Sequence, residues 1–238
     1  MAVSMEPRVV TSNRILATLP RREYTEFFSH LEPVHLARNK VLYEFGDPIR
    51  FAFFLTSGMV SLLCIMEDGS STQVSMVGNE GVLGIPAILR VNKAPYRMMV
   101  QIPGKALRVT ADFFTKEFRR DGPFQDIVLR YIHALIMQIS HSAACNRFHT
   151  VEQRLSRWLL ISHDRITSNT LHLTQEALSH MLGASRTNVT EAANSLRRKG
   201  IVDYHRGDIR IIDRQKLEAV ACECYRTVCA EIDCIRAA

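Results

Sequence analysis

The stretch LTQEALSHMLGASRTNVTEAANSLRRKGIVDYHRGDIRIID, Leu173 to Asp213, decides how the second half of the chain folds. Thr174 is placed to cap a helix whose apolar side is Leu178, Met181 and Leu182, and Gly183 can end that helix in the left-handed conformation. Ser185 caps a second helix that turns Val189, Ala192, Ala193 and Leu196 inward and stops at Gly200. Helix, short Gly-containing turn, helix is the helix-turn-helix pattern. Its second helix would present Arg186, Thr187, Asn188, Thr190, Glu191 and Asn194, polar side chains of the kind that read base edges or grip phosphates in a major groove, and Thr174, Ser185, Arg197 and Arg206 are also expected at the DNA surface. The runs IVDY and IRII flank the turn His205-Arg206-Gly207-Asp208 and predict a two-stranded wing with a basic tip.

Charge points to the same place. The 238-residue chain carries 30 Lys and Arg against 24 Asp and Glu, a formal excess of +6. Between Ser185 and Arg210 six basic residues, Arg197 and Arg206 among them, face three acidic ones, so half of the excess lies in this short segment. Binding to a phosphate backbone requires such concentration.

Working back toward the N-terminus, a helix is expected from about Val151 to Arg165, followed by a short linker at Ser168-Asn169. Before it, Pro123 to Cys145 has helical periodicity, with Val128, Tyr131, Leu135, Gln138, Ser142 and Cys145 on one stripe and Ile132, Ile136, Ile139 and Ala143 on an adjoining one. That apolar arc is too wide for one small domain to cover, so one stripe is free to pair with a second copy of the helix. Val128, Tyr131, Leu135, Gln138, Ile139 and Ser142 are the residues expected at the homodimer interface. From Lys40 to Val109 short β-branched runs alternate with turn residues, Asp68-Gly69 being the sharpest hairpin signal, as in an antiparallel β-roll of the jelly-roll type. The fold expected is α+β: a sensory roll over 1–121, a dimerisation helix over 122–149 and a winged helix-turn-helix over 150–238.

The order of these parts, with GASRTNVTEAANSLRRKGIV at its centre, resembles the Crp/Fnr family of bacterial transcription regulators. The resemblance implies a cytoplasmic homodimer that places one recognition helix per subunit in successive major grooves of a near-palindromic DNA site, with RNA polymerase as a further partner. Arg186 matches the family's base-reading arginine. Thr187 stands where many members carry a glutamate, and Glu191 where the best-known member carries an arginine, so operator preference does not transfer.

In cyclic-nucleotide-binding members the Gly-rich loop supplies a glutamate to the ribose and an Arg-Ser pair to the phosphate. Here the effector pocket would be lined by Gly81, Val82, Leu83, Gly84, Arg97 and Met98. Val82 replaces the glutamate and Met98 the serine, a poor match to cyclic AMP that leaves a different small effector open. A cyclic-nucleotide or metabolite sensor that acts without DNA is the alternative reading.

Other classes fall away. No secretory leader is expected, because MAVSMEPRVVTSNR has no apolar core or small-residue cleavage site, and no membrane span, because the richest apolar run, from Ile127, is broken by Arg130 and His133. An enzyme on a metal-binding roll would need histidines in the roll, and Lys40 to Thr110 has none; no catalytic residues are assigned. The family's iron–sulfur branch uses an N-terminal cysteine cluster, whereas the first cysteine here is Cys64. Cys222, Cys224, Cys229 and Cys234 form no C-x-x-C pair, and on one continuous helix Cys224 would point away from Cys222 and Cys229. His141 and His149, eight residues apart, are given structural roles, and no metal site is expected.

Overall fold

A computed structural model describes residues 12–166, 170–205 and 207–236. It divides into two compact units, one made of residues up to Leu62, Met76–Ile136 and those from Ala230, the other of Leu63–Ser75 and Met137–Cys229. The division falls inside the long helix, and the tip of one roll hairpin clusters with the second unit.

In the first unit, helices α1 (Arg14–Thr18) and α2 (Arg21–Phe28) precede the roll. Its strands are β1 (Glu32–Leu36), β2 (Val41–Tyr43), β3 (Phe51–Ile65), β4 (Ser71–Val77), β5 (Val82–Leu83) and β6 (Arg97–Thr110). They form an antiparallel sheet in the order β1-β6-β3-β4, with β2 added on β6 and β5 on β3. Helix α3 (Ile85–Ile88) follows β5, and α4 (Ala111–Phe118) follows β6. Phe27, Phe54, Phe114 and Phe124 pack edge to face or tilted, with ring centroids 4.8–6.5 Å apart, and close the base of the roll. Asn13 pins the Gly-rich loop: its buried amide donates to the carbonyls of Leu55 at 2.8 Å and Gly81 at 2.9 Å while Oδ1 caps α1.

Helix α5 (Pro123–Phe148) runs 26 residues and is the long helix that the apolar periodicity predicts. Val128, Tyr131 and Gln138 are buried within the chain, Leu135 and Ser142 are half-buried, and the Ser142 hydroxyl donates to the Gln138 carbonyl at 2.9 Å. These side chains line the inner stripe, so Val128, Tyr131 and Gln138 cannot meet a second copy. The stripe left open is the adjoining one, with Leu129 48% and Ile136 55% exposed, Ile132 and Ile139 half-buried and Ala143 exposed.

In the second unit, α6 (Val151–His163) starts with a capping box between Thr150 and Gln153 and buries Leu155, Trp158, Leu159 and Ile161. The Trp158 indole donates to Gln73 on the hairpin tip, 3.4 Å away. Strand β7 (Thr170–His172), helices α7 (Gln175–Leu182) and α8 (Arg186–Arg198), and strands β8 (Val202–His205) and β9 (Asp208–Ile211) follow. After them come α9 (Arg214–Val220) and α10 (Cys224–Asp233). Arg214 ties α9 and α10 to the end of α6: its Nη2 donates to Asp164 Oδ1 and to the Tyr225 hydroxyl, both at 2.7 Å, and Tyr225 donates to Asp164 Oδ2 at 2.9 Å. Burial pushes the Tyr225 hydroxyl pKa up, so it stays a donor.

Candidate nucleic-acid interface

Local chemistry sets the two helices of the motif. Thr174 Oγ1 accepts from the Ala177 amide at 3.1 Å and caps α7, whose Leu178, Met181 and Leu182 are buried. Gly183 ends the helix at φ +55°, a conformation that a β-carbon penalises. Ser185 Oγ accepts from the Asn188 amide at 3.2 Å and caps α8, which buries Val189, Ala192, Ala193 and Leu196. With four inward positions taken by small or branched apolar residues, the rest of α8 must face out. Arg186, Thr187, Asn188, Glu191, Asn194 and Arg197 are all exposed.

Not every predicted contact residue is free. The Thr190 hydroxyl is half-buried, 2.8 Å from the Arg186 carbonyl and 3.0 Å from Gln175 Oε1, so its single proton is taken up inside the motif. Thr174 and Ser185 use their side chains as caps. Arg186 forms an ion pair with Glu176 on α7, with side chains 64% and 58% exposed. A pair so open to water contributes about 0–1 kcal/mol and yields readily to a better partner. Arg197 lies 3.8 Å from Asp203, and Lys199 Nζ sits 2.5 Å from Glu152 Oε1, joining the C-terminal end of α8 to α6.

The wing has three strands, not the two that the sequence suggests. β8 pairs with β9 from Val202↔Ile211 to His205↔Asp208, and β7 adds to the other edge of β9 from Thr170↔Arg210 to His172↔Asp208. Arg206, expected at the wing tip, and the Ser168-Asn169 linker lie outside the described residues.

A helix pair with an exposed polar face and a three-stranded wing is the geometry of a DNA-reading head. Comparison with known proteins extends this to most of the chain. Residues 33–121 match the family model of the cyclic nucleotide-binding domain, and residues 153–220 that of the Crp-like helix-turn-helix domain. The chain belongs to the Crp/Fnr family. It is 25% identical to the global nitrogen regulator of Nostoc sp. over 213 residues, 85% of this chain and 95% of that protein. Its fold is similar to that of FixK2 from Bradyrhizobium japonicum, with TM-score 0.69, 15% identity, and coverage of 81% of this chain and 98% of that one. It is also similar to the c-di-GMP responsive global regulator CLP of Xanthomonas campestris, with TM-score 0.66, 14% identity, and coverage of 81% and 99%. As a Crp/Fnr protein it is a DNA-binding transcription regulator, and among the described residues no helix is long and apolar enough to cross a membrane.

The Gly-rich loop of this Crp/Fnr protein is packed rather than open. Val82 and Leu83 form β5 against Phe54 and Phe53 and are buried, as is Met98. A β-carbon on Gly81 would fall 2.4–2.6 Å from the Tyr131 ring, and Gly84 adopts φ +102° at the start of α3. Glu80, the loop's carboxylate, is buried and accepts from the Gly78 amide at 2.9 Å, which closes the turn. Arg97, read as a candidate anion grip, instead donates from Nε to Glu44 Oε2 at 2.7 Å.

One constellation escapes the sequence reading. Cys145, His149, Cys222 and Cys224 bring a sulfur or imidazole nitrogen each within 4.8 Å of one another. The premise that Cys222 to Cys234 lie on one helix fails, since α9 ends at Val220, α10 begins at Cys224, and Cys222 sits in the bend between them. Only the i, i+4 spacing of Cys145 and His149 on a predicted helix, beside Cys-x-Cys, could have signalled it.

Proposed function

We propose that this Crp/Fnr regulator works as a cytoplasmic homodimer. In this reading Leu129, Ile132, Ile136, Ile139 and Ala143 of α5 pair with their counterparts, and the two copies of α8 enter successive major grooves of a near-palindromic operator. The carrying observation is the exposed polar face of α8 above a fully buried inner face. Arg186 reads a base, bidentately where that base is guanine, with Thr187, Asn188 and Glu191 beside it; Arg197 and Arg206 face phosphates. Steps of three and four residues along the open stripe of α5 support the pairing, because two such helices can interdigitate along a heptad seam. RNA polymerase is the partner through which a bound regulator of this kind acts on transcription.

The effector reading follows from the loop. Val82 offers no acceptor to a ribose, Met98 no hydroxyl to a phosphate, and Arg97 is held by Glu44. A small effector of the roll is therefore other than cyclic AMP.

Selection of bound fragments from random DNA tests the whole. The expected outcome is a two-fold symmetric motif with half-sites about 10 base pairs apart, bound with a steep salt dependence. Recovery of asymmetric sites by a monomer, or of no enriched sequence, would overturn the dimeric reading.

A further inference from the structure

Four side chains that play no part in the DNA-reading surface meet in the second unit. Cys145 and His149 lie one turn apart near the C-terminal end of α5, Cys222 in the bend before α10, and Cys224 at the first position of α10. Cys145 Sγ is 3.6 Å from Cys222 Sγ, and Cys224 Sγ is 3.8 Å from His149 Nδ1. The three cysteines are buried and His149 is partly so.

These separations carry a specific meaning. Zinc–thiolate bonds of about 2.3 Å at tetrahedral angles put two sulfurs about 3.8 Å apart, and a zinc–imidazole bond of about 2.0–2.1 Å gives slightly less. In an iron–sulfur cluster, cysteines that cap different irons stand much farther apart, so a set lying entirely within 4.8 Å surrounds one ion and not a cluster.

Two surrounding features point the same way. His149 Nε2 lies 3.2 Å from Glu223 Oε1; a proton on Nε2 donates to that carboxylate and leaves the Nδ1 lone pair facing the cysteines. A carboxylate holding the far side of a ligating imidazole is the usual outer support of a zinc histidine. Arg154 is buried beside Cys145 and Cys222, close enough to interact with their charge, and among the described residues its Nε and Nη2 have no hydrogen-bond partner. Three thiolates and a neutral imidazole around a divalent cation leave one negative charge, which a buried guanidinium balances without covalent contact.

We propose that Cys145, His149, Cys222 and Cys224 bind a single zinc-class divalent cation in a closed tetrahedral site that clamps the segment following the wing onto the end of the long helix. Binding of the ion releases the thiol protons, and no oxidant or reductant is involved. Ligands 77 residues apart are joined through it, so the metal stabilises the fold of the second unit and has no vacant position for substrate.

The test starts from full-length protein produced in zinc-supplemented medium and purified with a thiol reductant and no chelator. Elemental analysis should find about one zinc per chain. Cobalt added after zinc removal should give the intense visible bands of a tetrahedral site together with thiolate charge-transfer absorption. Cys224→Ser should lose both. Glu223→Gln, which leaves every ligand in place, should keep the fold and weaken metal retention against a competing chelator by about tenfold to a hundredfold. Cys64→Ser and Cys234→Ser should match the parent. Folded parent protein with neither stoichiometric metal nor the cobalt spectrum would overturn the proposal, as would iron with inorganic sulfide in the purified protein. So would a folded His149→Ala or Cys145→Ser variant that holds zinc as tightly as the parent.

Discussion

Helix α8, proposed to read DNA, and the Gly-rich loop of the roll are built in opposite ways. On α8 every apolar residue turns inward, and Arg186, Thr187, Asn188, Glu191, Asn194 and Arg197 stand in water, Arg186 tied to Glu176 by an open ion pair. In the loop the apolar residues are packed away and the charged ones are paired: Val82, Leu83 and Met98 are buried, Glu80 accepts from the Gly78 amide and Arg97 donates to Glu44. A surface that must exchange its contacts for a partner's keeps its polar groups weakly engaged. The loop instead fills with packing, and its charges find local mates.

The largest effect expected separates the open stripe of α5 from the buried one. Ile136→Asp places a charge on a side chain already 55% exposed, so the subunit should fold normally. Sedimentation should then show monomers, and binding to a symmetric operator should fall below detection. Val128→Asp, a charge at a fully buried site, should unfold the protein instead. A dimer that survives Ile136→Asp would move the interface elsewhere.

Next comes the packing of the loop. Gly81→Ala drives a methyl group into the buried Tyr131 ring, so the loop or the ring must shift. A loss of about 1–3 kcal/mol in urea unfolding is expected. Combining it with Tyr131→Ala, which opens the space, should cost less than the two single changes added together. Additive losses would mean that the contact is not what excludes a side chain at position 81.

On the recognition side, Arg186→Ala should cost about 1–3 kcal/mol of operator affinity and relax discrimination at one base position in each half-site. Glu176→Gln supplies the sharper control, since it frees Arg186 without removing it. Affinity should hold or rise slightly with the base preference intact. If Arg186→Ala left discrimination unchanged across operator variants, the register of α8 in the groove would have to be redrawn.

How much of this could be read beforehand follows the range of the forces involved. Thr174, Gly183, Ser185 and Gly200 act on their own helix ends, and the structure places caps and stops where their spacing predicts. The two stripes of α5 were visible in the periodicity, but which one faces inward depends on what packs against it. No local rule names Tyr131 over Ile132 for that role. Strand β7 is three residues long and exists because β9 offers an edge. The Cys–His set joins two segments far apart in sequence, and the non-helical residues 221–223, with Cys222 among them, were enough to hide it.

The smallest effect tests whether the loop has any binding duty left. Arg97 and Glu44 are 37% and 47% exposed, so their ion pair should contribute about 0–1 kcal/mol to stability. Arg97→Ala should therefore leave the urea midpoint nearly unchanged, and cyclic AMP should shift the melting temperature of neither parent nor variant. A guanidinium already neutralised by a carboxylate 2.7 Å away gains little from a phosphate that must first displace it. Should cyclic AMP stabilise the parent and lose that effect in Arg97→Ala, the pair would be a latch that opens for an anion, and the contrast between the packed loop and the open helix would collapse.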